Sequence, residues 1–233
     1  MHFNGPLFLH PPKTGGSSIF NALVLSKIIT LKDLKLEDLL LDITKLHQPF
    51  KSHNLSMDTT CAVSVRCPYT RYVSLFYQFC SAQENKSPEA FTIPQFKKFM
   101  LNIQLRPTWL TSPCTNWIDG ITGRLHIIKF ENLVEDVKAV YGVNLNSFSR
   151  IDRTGLGTRY TSVVSEQETI KSVLKYYDDT IINFVNDIAG EDFNCFGYTK
   201  FKDYQEMVNF GNATIPSGND QLEIYTNTTT QKR

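Results

Sequence analysis

Leu7-Phe8-Leu9-His10-Pro11-Pro12-Lys13-Thr14-Gly15-Gly16-Ser17-Ser18-Ile19-Phe20 passes from an apolar triplet through a basic, glycine- and hydroxyl-rich turn and back into apolar residues. Its pattern is strand, anion-binding loop, helix. Two glycines let consecutive N–H groups turn toward one anion, and Lys13 adds a point charge. The start of the following helix contributes unpaired N–H groups and the positive end of its dipole. An oxyanion of phosphate or sulfate size is the guest this chemistry suits. An ATP-type P-loop places lysine after the glycines, as G-x-x-x-x-G-K-[ST], whereas here Lys13 precedes Gly15 and Gly16. An ordinary glycine turn is the plain alternative, and it leaves the lysine and the hydroxyls of Thr14, Ser17 and Ser18 without a reason.

His10-Pro11-Pro12-Lys13-Thr14-Gly15-Gly16-Ser17-Ser18 resembles the H-x-P-K-T-G-G-[ST]-[ST] signature of the carbohydrate sulfotransferases related to the Golgi heparan enzymes. The resemblance implies a P-loop-like three-layer α/β fold, a central parallel sheet flanked by helices. It also implies that the loop holds the 5′-phosphosulfate of 3′-phosphoadenosine 5′-phosphosulfate (PAPS). Carried over residue by residue, the cofactor-binding positions are Lys13, Thr14, Gly15, Gly16, Ser17 and Ser18.

The whole chain sets bounds on this. At 233 residues, with 41% hydrophobic and 20% charged content, it has the make-up of a soluble globular protein with a sizeable core. One sulfotransferase domain is expected over 1–200, followed by a partly disordered extension over 201–233. Twenty-four basic against 23 acidic residues give no global field to steer nucleic acid or another polyanion. No apolar run approaches the ~20 residues that span a bilayer, and the start lacks a signal-peptide layout. The expectation is a cytoplasmic protein, or a Golgi-lumenal or secreted one if an anchor and stem precede this stretch. Five scattered cysteines, without a C-x-x-C pair or clustered Cys/His ligands, suggest neither metal site nor disulfide framework. Reduced thiols, mostly buried, are expected.

Beyond the loop, 17–28 has helical apolar spacing with Ser17 or Ser18 available as cap, and 31–46 is helix-like. His47-Gln48-Pro49-Phe50-Lys51-Ser52-His53 is a proline-broken loop with two histidines, the side chain best suited to proton transfer near neutrality. On composition alone they are exposed loop histidines. The resemblance makes His47 the proposed base, because relatives carry a G-H-x-P-[FY]-like segment here; Leu46 replaces the glycine, and His53 is the reserve.

Thr60–Val65 is a short β-branched run, a second buried parallel strand ending in Arg66-Cys67-Pro68-Tyr69-Thr70-Arg71-Tyr72-Val73-Ser74. A basic residue at the carboxyl end of a strand, before a proline-started helix, lies where open α/β sheets bind ligands. This segment resembles the family's V-R-[DN]-P-x-x-R-x-x-S motif, which makes Arg66 and Ser74 holders of the cofactor's 3′-phosphate. Arg71, the motif's second arginine, is given a structural role. Cys67 departs from the usual Asp or Asn and leaves that side chain's loop contact in question.

Pro94–Ile103 is predicted helical, and 106–117 is a loop region in which core packing is the role of both tryptophans. Leu125–Phe130 is a third strand, Glu131–Asp136 opens a helix in a family-like F-E-N-L register, and Glu166–Ile188 is predicted as one long amphipathic helix. In the basic loop 150–160, Arg153 is a possible phosphate contact by resemblance. The resemblance ends at a closing F-G-Y, residues 196–198.

The expected function is sulfuryl transfer from PAPS to an acceptor hydroxyl on a carbohydrate, with Lys13 and His47 as catalytic residues. Lysine and backbone dipoles supply the positive charge, so no metal is called for. The rival readings are a P-loop-like nucleotide kinase or phosphotransferase, and a non-catalytic nucleotide- or glycan-binding module. The acceptor's identity and the oligomeric state are not legible.

Overall fold

Three short runs of apolar and β-branched residues pair in parallel and carry the architecture. The computed structural model describes residues 2–3, 5–30, 48–53, 55–84, 92–147 and 165–213. In chain order the strands are β1 (His2–Phe3), β2 (Leu7–Leu9), β3 (Ile29–Thr30), β4 (Cys61–Val65) and β5 (Leu125–Lys129). β1 and β3 form a small antiparallel pair, while β2, β4 and β5 form a parallel sheet with β4 in the middle. Leu9 stands opposite Val63 and Val65 opposite Lys129, so the three strands end on the same side.

Side chains alternate across this sheet, and each face buries a different set. Phe8, Ala62 and Ile128 meet Ile19, Phe20 and Leu23 of α1 (Gly16–Leu25) and Leu133, Val137 and Tyr141 of α6 (Leu133–Tyr141). Leu7, Leu9, Cys61, Val63 and Val65 face the larger core. That core is built by α2 (Pro68–Glu84), α3 (Ile93–Leu101), α5 (Thr115–Ile118), α7 (Glu166–Val173), α8 (Asp179–Ile188), α9 (Gly190–Phe196) and α10 (Tyr204–Asn212). The result is an α/β fold, a small parallel sheet with helices on both faces.

Local signals start most of these helices. Pro68 opens α2, Thr92 and Gln95 form a capping box at α3, and Ser165 with Glu168 forms another at α7. The predicted single helix over 166–188 is instead two. α7 tightens into a 3₁₀ turn at 174–176, Tyr177 is extended, and Asp178 accepts the Ile181 N–H at 3.0 Å to begin α8. The break is held by burial: Tyr177 lies in the core with its hydroxyl donating to Tyr69 O at 2.6 Å.

The region 106–117 contains two one-turn helices, α4 (Thr108–Thr111) and α5, with Trp117 buried. Residues 201–213 join the larger core: Phe201 and Met207 are buried, and Gln167 of α7 donates to Phe210 O at 2.8 Å. Cys61, Cys67, Cys80 and Cys114 are buried free thiols, and Cys195 is exposed. Among the described residues no helix is long and apolar enough to cross a membrane. The predicted helix over 31–46, the loop 150–160 and the tail from 214 onward lie outside the described residues.

Candidate functional site

The turn after β2 is shaped by two left-handed residues, Lys13 at φ 67° and Gly15 at φ 82°. Gly15, not a serine, caps α1. The cap lies two residues before Ser17, which puts Ser17 and Ser18 inside the first turn, and no side chain caps the helix. The first intrahelical bond runs from Ser18 N–H to Gly15 O at 3.1 Å. The N–H groups of Gly16 and Ser17 therefore precede the helical ladder, as donors at a helix start do. Ser17 is exposed and Ser18 half-buried.

Each glycine has its own reason. Gly15 takes a backbone conformation that costs an ordinary residue ~1–2 kcal/mol. At Gly16 a Cβ would stand 1.8 Å from His10 Cδ2, and the His10 ring is fixed by stacking on Phe8 at 6.0 Å between centroids. Thr14 turns inward: Oγ1 donates to Pro11 O at 2.7 Å, which leaves Ser64 Oγ, 2.6 Å away, to donate to Thr14. The Thr14 hydroxyl is thus committed to Pro11 O and Ser64.

Arg66 leaves the end of β4 beside this loop. Its Nε donates to Thr70 Oγ1 at 3.0 Å, and its guanidinium carbon lies 4.0 Å from the Phe130 ring centroid. The same ring approaches the loop, since a Cβ on Gly15 would stand 3.1 Å from Phe130 Cδ2. Phe130 is therefore shared by the two basic elements. Ser74, half-buried, follows Thr70 by one helical turn on the same face of α2.

Cys67 makes its contact through the backbone. Its N–H donates to Glu131 Oε1 at 3.1 Å, and Tyr198 donates to the other oxygen of that carboxylate at 2.9 Å. Glu131, read from sequence as a matter of register, is the carboxylate that fixes the turn after Arg66. Burial, then the Glu166 and Glu131 charges, pushes the Cys67 thiol well above its usual range, so it stays protonated. Burial also raises Glu166, whose Oε1 accepts the Thr199 N–H at 2.9 Å.

Beneath the loop lies Arg71, 0% exposed. Its Nε donates to Pro12 O at 3.0 Å and its Nη2 to Leu110 O at 3.4 Å, while neighbouring Tyr72 donates to Thr111 O at 3.2 Å. The visible signal in the sequence is a charged residue amid Tyr69, Tyr72, Val73 and Phe76, all buried.

Lys13, Thr14, Gly15, Gly16, Ser17, Ser18 and Arg66 belong to the strand-to-helix junctions that follow β2 and β4, and Ser74 lies six residues into α2. His47 and Arg153 lie outside the described residues. The reserve histidine, His53, is half-buried, with Nε2 3.3 Å from Gln48 O. Its segment is anchored by buried Phe50 and by the Lys51–Asp119 ion pair at 2.6 Å. His126 sits within β5 and is lowered by burial and then by Arg124. Among the described residues no group of three His, Cys, Asp or Glu side chains is placed to hold a metal ion. An open cleft of ≈ 430 Å³, lined in part by Asn116, Asp187, Glu191 and Lys200, shares no residue with this end of the sheet. No family model, curated protein or solved structure matches the chain.

Proposed function

We propose that this chain is a PAPS-dependent sulfotransferase of P-loop-like fold, acting on an acceptor hydroxyl of a carbohydrate. One observation carries the proposal. The Lys13 loop and Arg66 leave the carboxyl ends of neighbouring parallel strands and share Phe130, giving two cationic stations at one end of the sheet. The donor set fits a ligand with two separated anionic ends. Lys13, the backbone N–H groups from Gly15 to Ser17 and the Ser18 hydroxyl take the 5′ end. Arg66 and Ser74, with Arg153 as a further contact, take the 3′-phosphate.

When bound, PAPS supplies a sulfuryl group whose bond to the 5′-phosphate breaks as the acceptor oxygen bonds to sulfur. His47, or His53 in reserve, takes the proton from the attacking hydroxyl, a role that contributes ~10²–10⁴-fold in rate. Lys13 and the loop N–H groups offset the negative charge that collects on the departing oxygen. They are fixed in advance by the Thr14–Ser64 and Arg71–Pro12 bonds, so little reorganisation is needed at that moment.

Calorimetric titration with 3′-phosphoadenosine 5′-phosphate (PAP), against ATP with magnesium, tests the assignment. The expected result is PAP binding weakened ~10-fold or more by Lys13→Ala and by Arg66→Ala, each removing a charge-assisted contact. Absence of PAP binding, or preference for ATP, overturns it. Tight PAP binding without sulfated product from an acceptor panel would leave a binding module in its place.

A further inference from the structure

Arg71 is a fully buried cation whose hydrogen bonds go to carbonyl oxygens of two distant segments. Taking a guanidinium out of water costs several kcal/mol, and an apolar residue of similar volume would fill the space more cheaply. The arginine therefore has work that packing does not explain. Its Nε holds Pro12 O, directly before Lys13 and its left-handed backbone, while its Nη2 holds Leu110 O. The next residue, Tyr72, holds the adjacent carbonyl, Thr111 O. Two consecutive side chains of α2 thus clamp two consecutive carbonyls of α4, and one of the pair also grips the anion loop. The Nη1 of Arg71 is buried with no hydrogen-bond partner among the described residues, a spare donor if the 107–114 segment shifts. Lysine cannot replace this group, since one ammonium lacks the planar fork that reaches two carbonyls at once.

Resting on the PAPS reading, we infer that Arg71 is a positioning residue coupling occupancy of the anion loop to the setting of the 107–114 segment. An anion drawing the Lys13 turn inward acts on Pro12 O, hence on the guanidinium, and hence on Leu110 O. Tyr72 keeps the segment in register with that motion. The coupling runs through one rigid group with a partner at each end, the kind of contiguous element that two sites can both bias.

Amide hydrogen exchange on the full chain, with and without PAP, tests this in the wild type, Arg71→Lys and Tyr72→Phe. The segment offers reporters in the Leu110 N–H, bonded to Pro107 O, and the Ser112 N–H, bonded to Thr108 O. In the wild type, PAP is expected to slow exchange both in 10–19 and in 107–118. Without ligand, Arg71→Lys should speed exchange in both segments together. With PAP, that variant should keep protection in 10–19 and lose it in 107–118, a split that general destabilisation does not produce. Tyr72→Phe should speed exchange in 107–118 alone and reduce its response to PAP. It decides the matter if Arg71→Lys does not fold. Protection of 107–118 that survives both substitutions, or faster exchange in only one segment of ligand-free Arg71→Lys, overturns the coupling. Absence of PAP protection at 10–19 in the wild type overturns the cofactor reading instead, and the ligand-free comparison still decides whether Arg71 ties the segments.

Discussion

Thr14 Oγ1 lies 2.6 Å from Ser64 Oγ, and both residues are 0% exposed. A hydroxyl of the turn after β2 is thus fastened to the central strand β4. Thr14→Val keeps the shape but leaves Ser64 Oγ and Pro11 O without the partner each now has. An abandoned buried polar group costs ~1–3 kcal/mol, so urea unfolding should show a loss of that order and calorimetry a weaker PAP complex. Thr14→Ser keeps both bonds and should stay near wild type in both. A valine variant as stable as wild type would show that the pair does not hold the loop.

Gly16→Ala should be among the most damaging small changes in the chain. Its Cβ would meet the His10 ring at 1.8 Å, and that ring is itself buried against Phe8. Overpacking of this kind costs ~1–3 kcal/mol, occasionally more. Removing the ring should restore room, so His10→Ala with Gly16→Ala should be more stable than the sum of the single losses by ~1 kcal/mol or more. Strict additivity in that double-mutant cycle would place the glycine requirement elsewhere.

What the sequence made legible was local. The apolar triplet before Lys13 and the β-branched run before Arg66 announced strands, and Pro68 announced a helix start. The periodicity over 166–188 misled because the residues that interrupt the helix, Tyr176 and Tyr177, are apolar enough to continue the pattern; tertiary burial and the Asp178 cap stop it. The serines looked like caps because helix boundaries blur by a residue or two, and here a cap at Gly15, two residues before Ser17, puts them in the first turn. The bonds that Arg71 and Glu131 make were opaque for a different reason. Their partners lie 59, 39, 64 and 67 residues away, and no spacing rule reaches that far.

The thiols should divide into one reactive and four silent. Cys195 is exposed; the other four are buried, and burial pushes Cys61 up to about 11 and Cys114 up to about 12. The thiolate is the reacting species, so these buried groups are closed both by access and by protonation. Alkylation of native protein followed by mass spectrometry should label Cys195, slowly, since partial burial and then the Asp192 and Glu191 charges raise its thiol too. The remaining four should react only after unfolding. Labelling of Cys67 in the native state would contradict its packing beneath the Arg66 turn.

Glu166 sets a pH dependence whose sign is fixed by burial. Its folded-state pKa is raised above the ordinary 4.5, first by desolvation, against the Thr199 N–H bond that lowers it. A raised carboxyl binds its proton more tightly in the folded chain. Its contribution to stability therefore grows as pH falls through the raised value toward the ordinary one, and above the raised value the ionised carboxylate is a net cost. Asp178 has the opposite sign. Burial raises it, but the Lys97 ammonium and the Ile181 N–H outweigh that and leave it lowered, so its contribution is present above 3.8 and is lost at lower pH. The two windows do not overlap, because one opens above the ordinary carboxylate range and the other below it. Glu166→Gln, which retains an acceptor for Thr199, should raise the melting temperature at neutral pH. The gap should then close as the buffer is taken down toward 4.5, where wild-type Glu166 is itself protonated. A glutamine variant less stable than wild type at neutral pH would mean that the Glu166 charge is compensated by Lys129 and contributes to stability rather than opposing it.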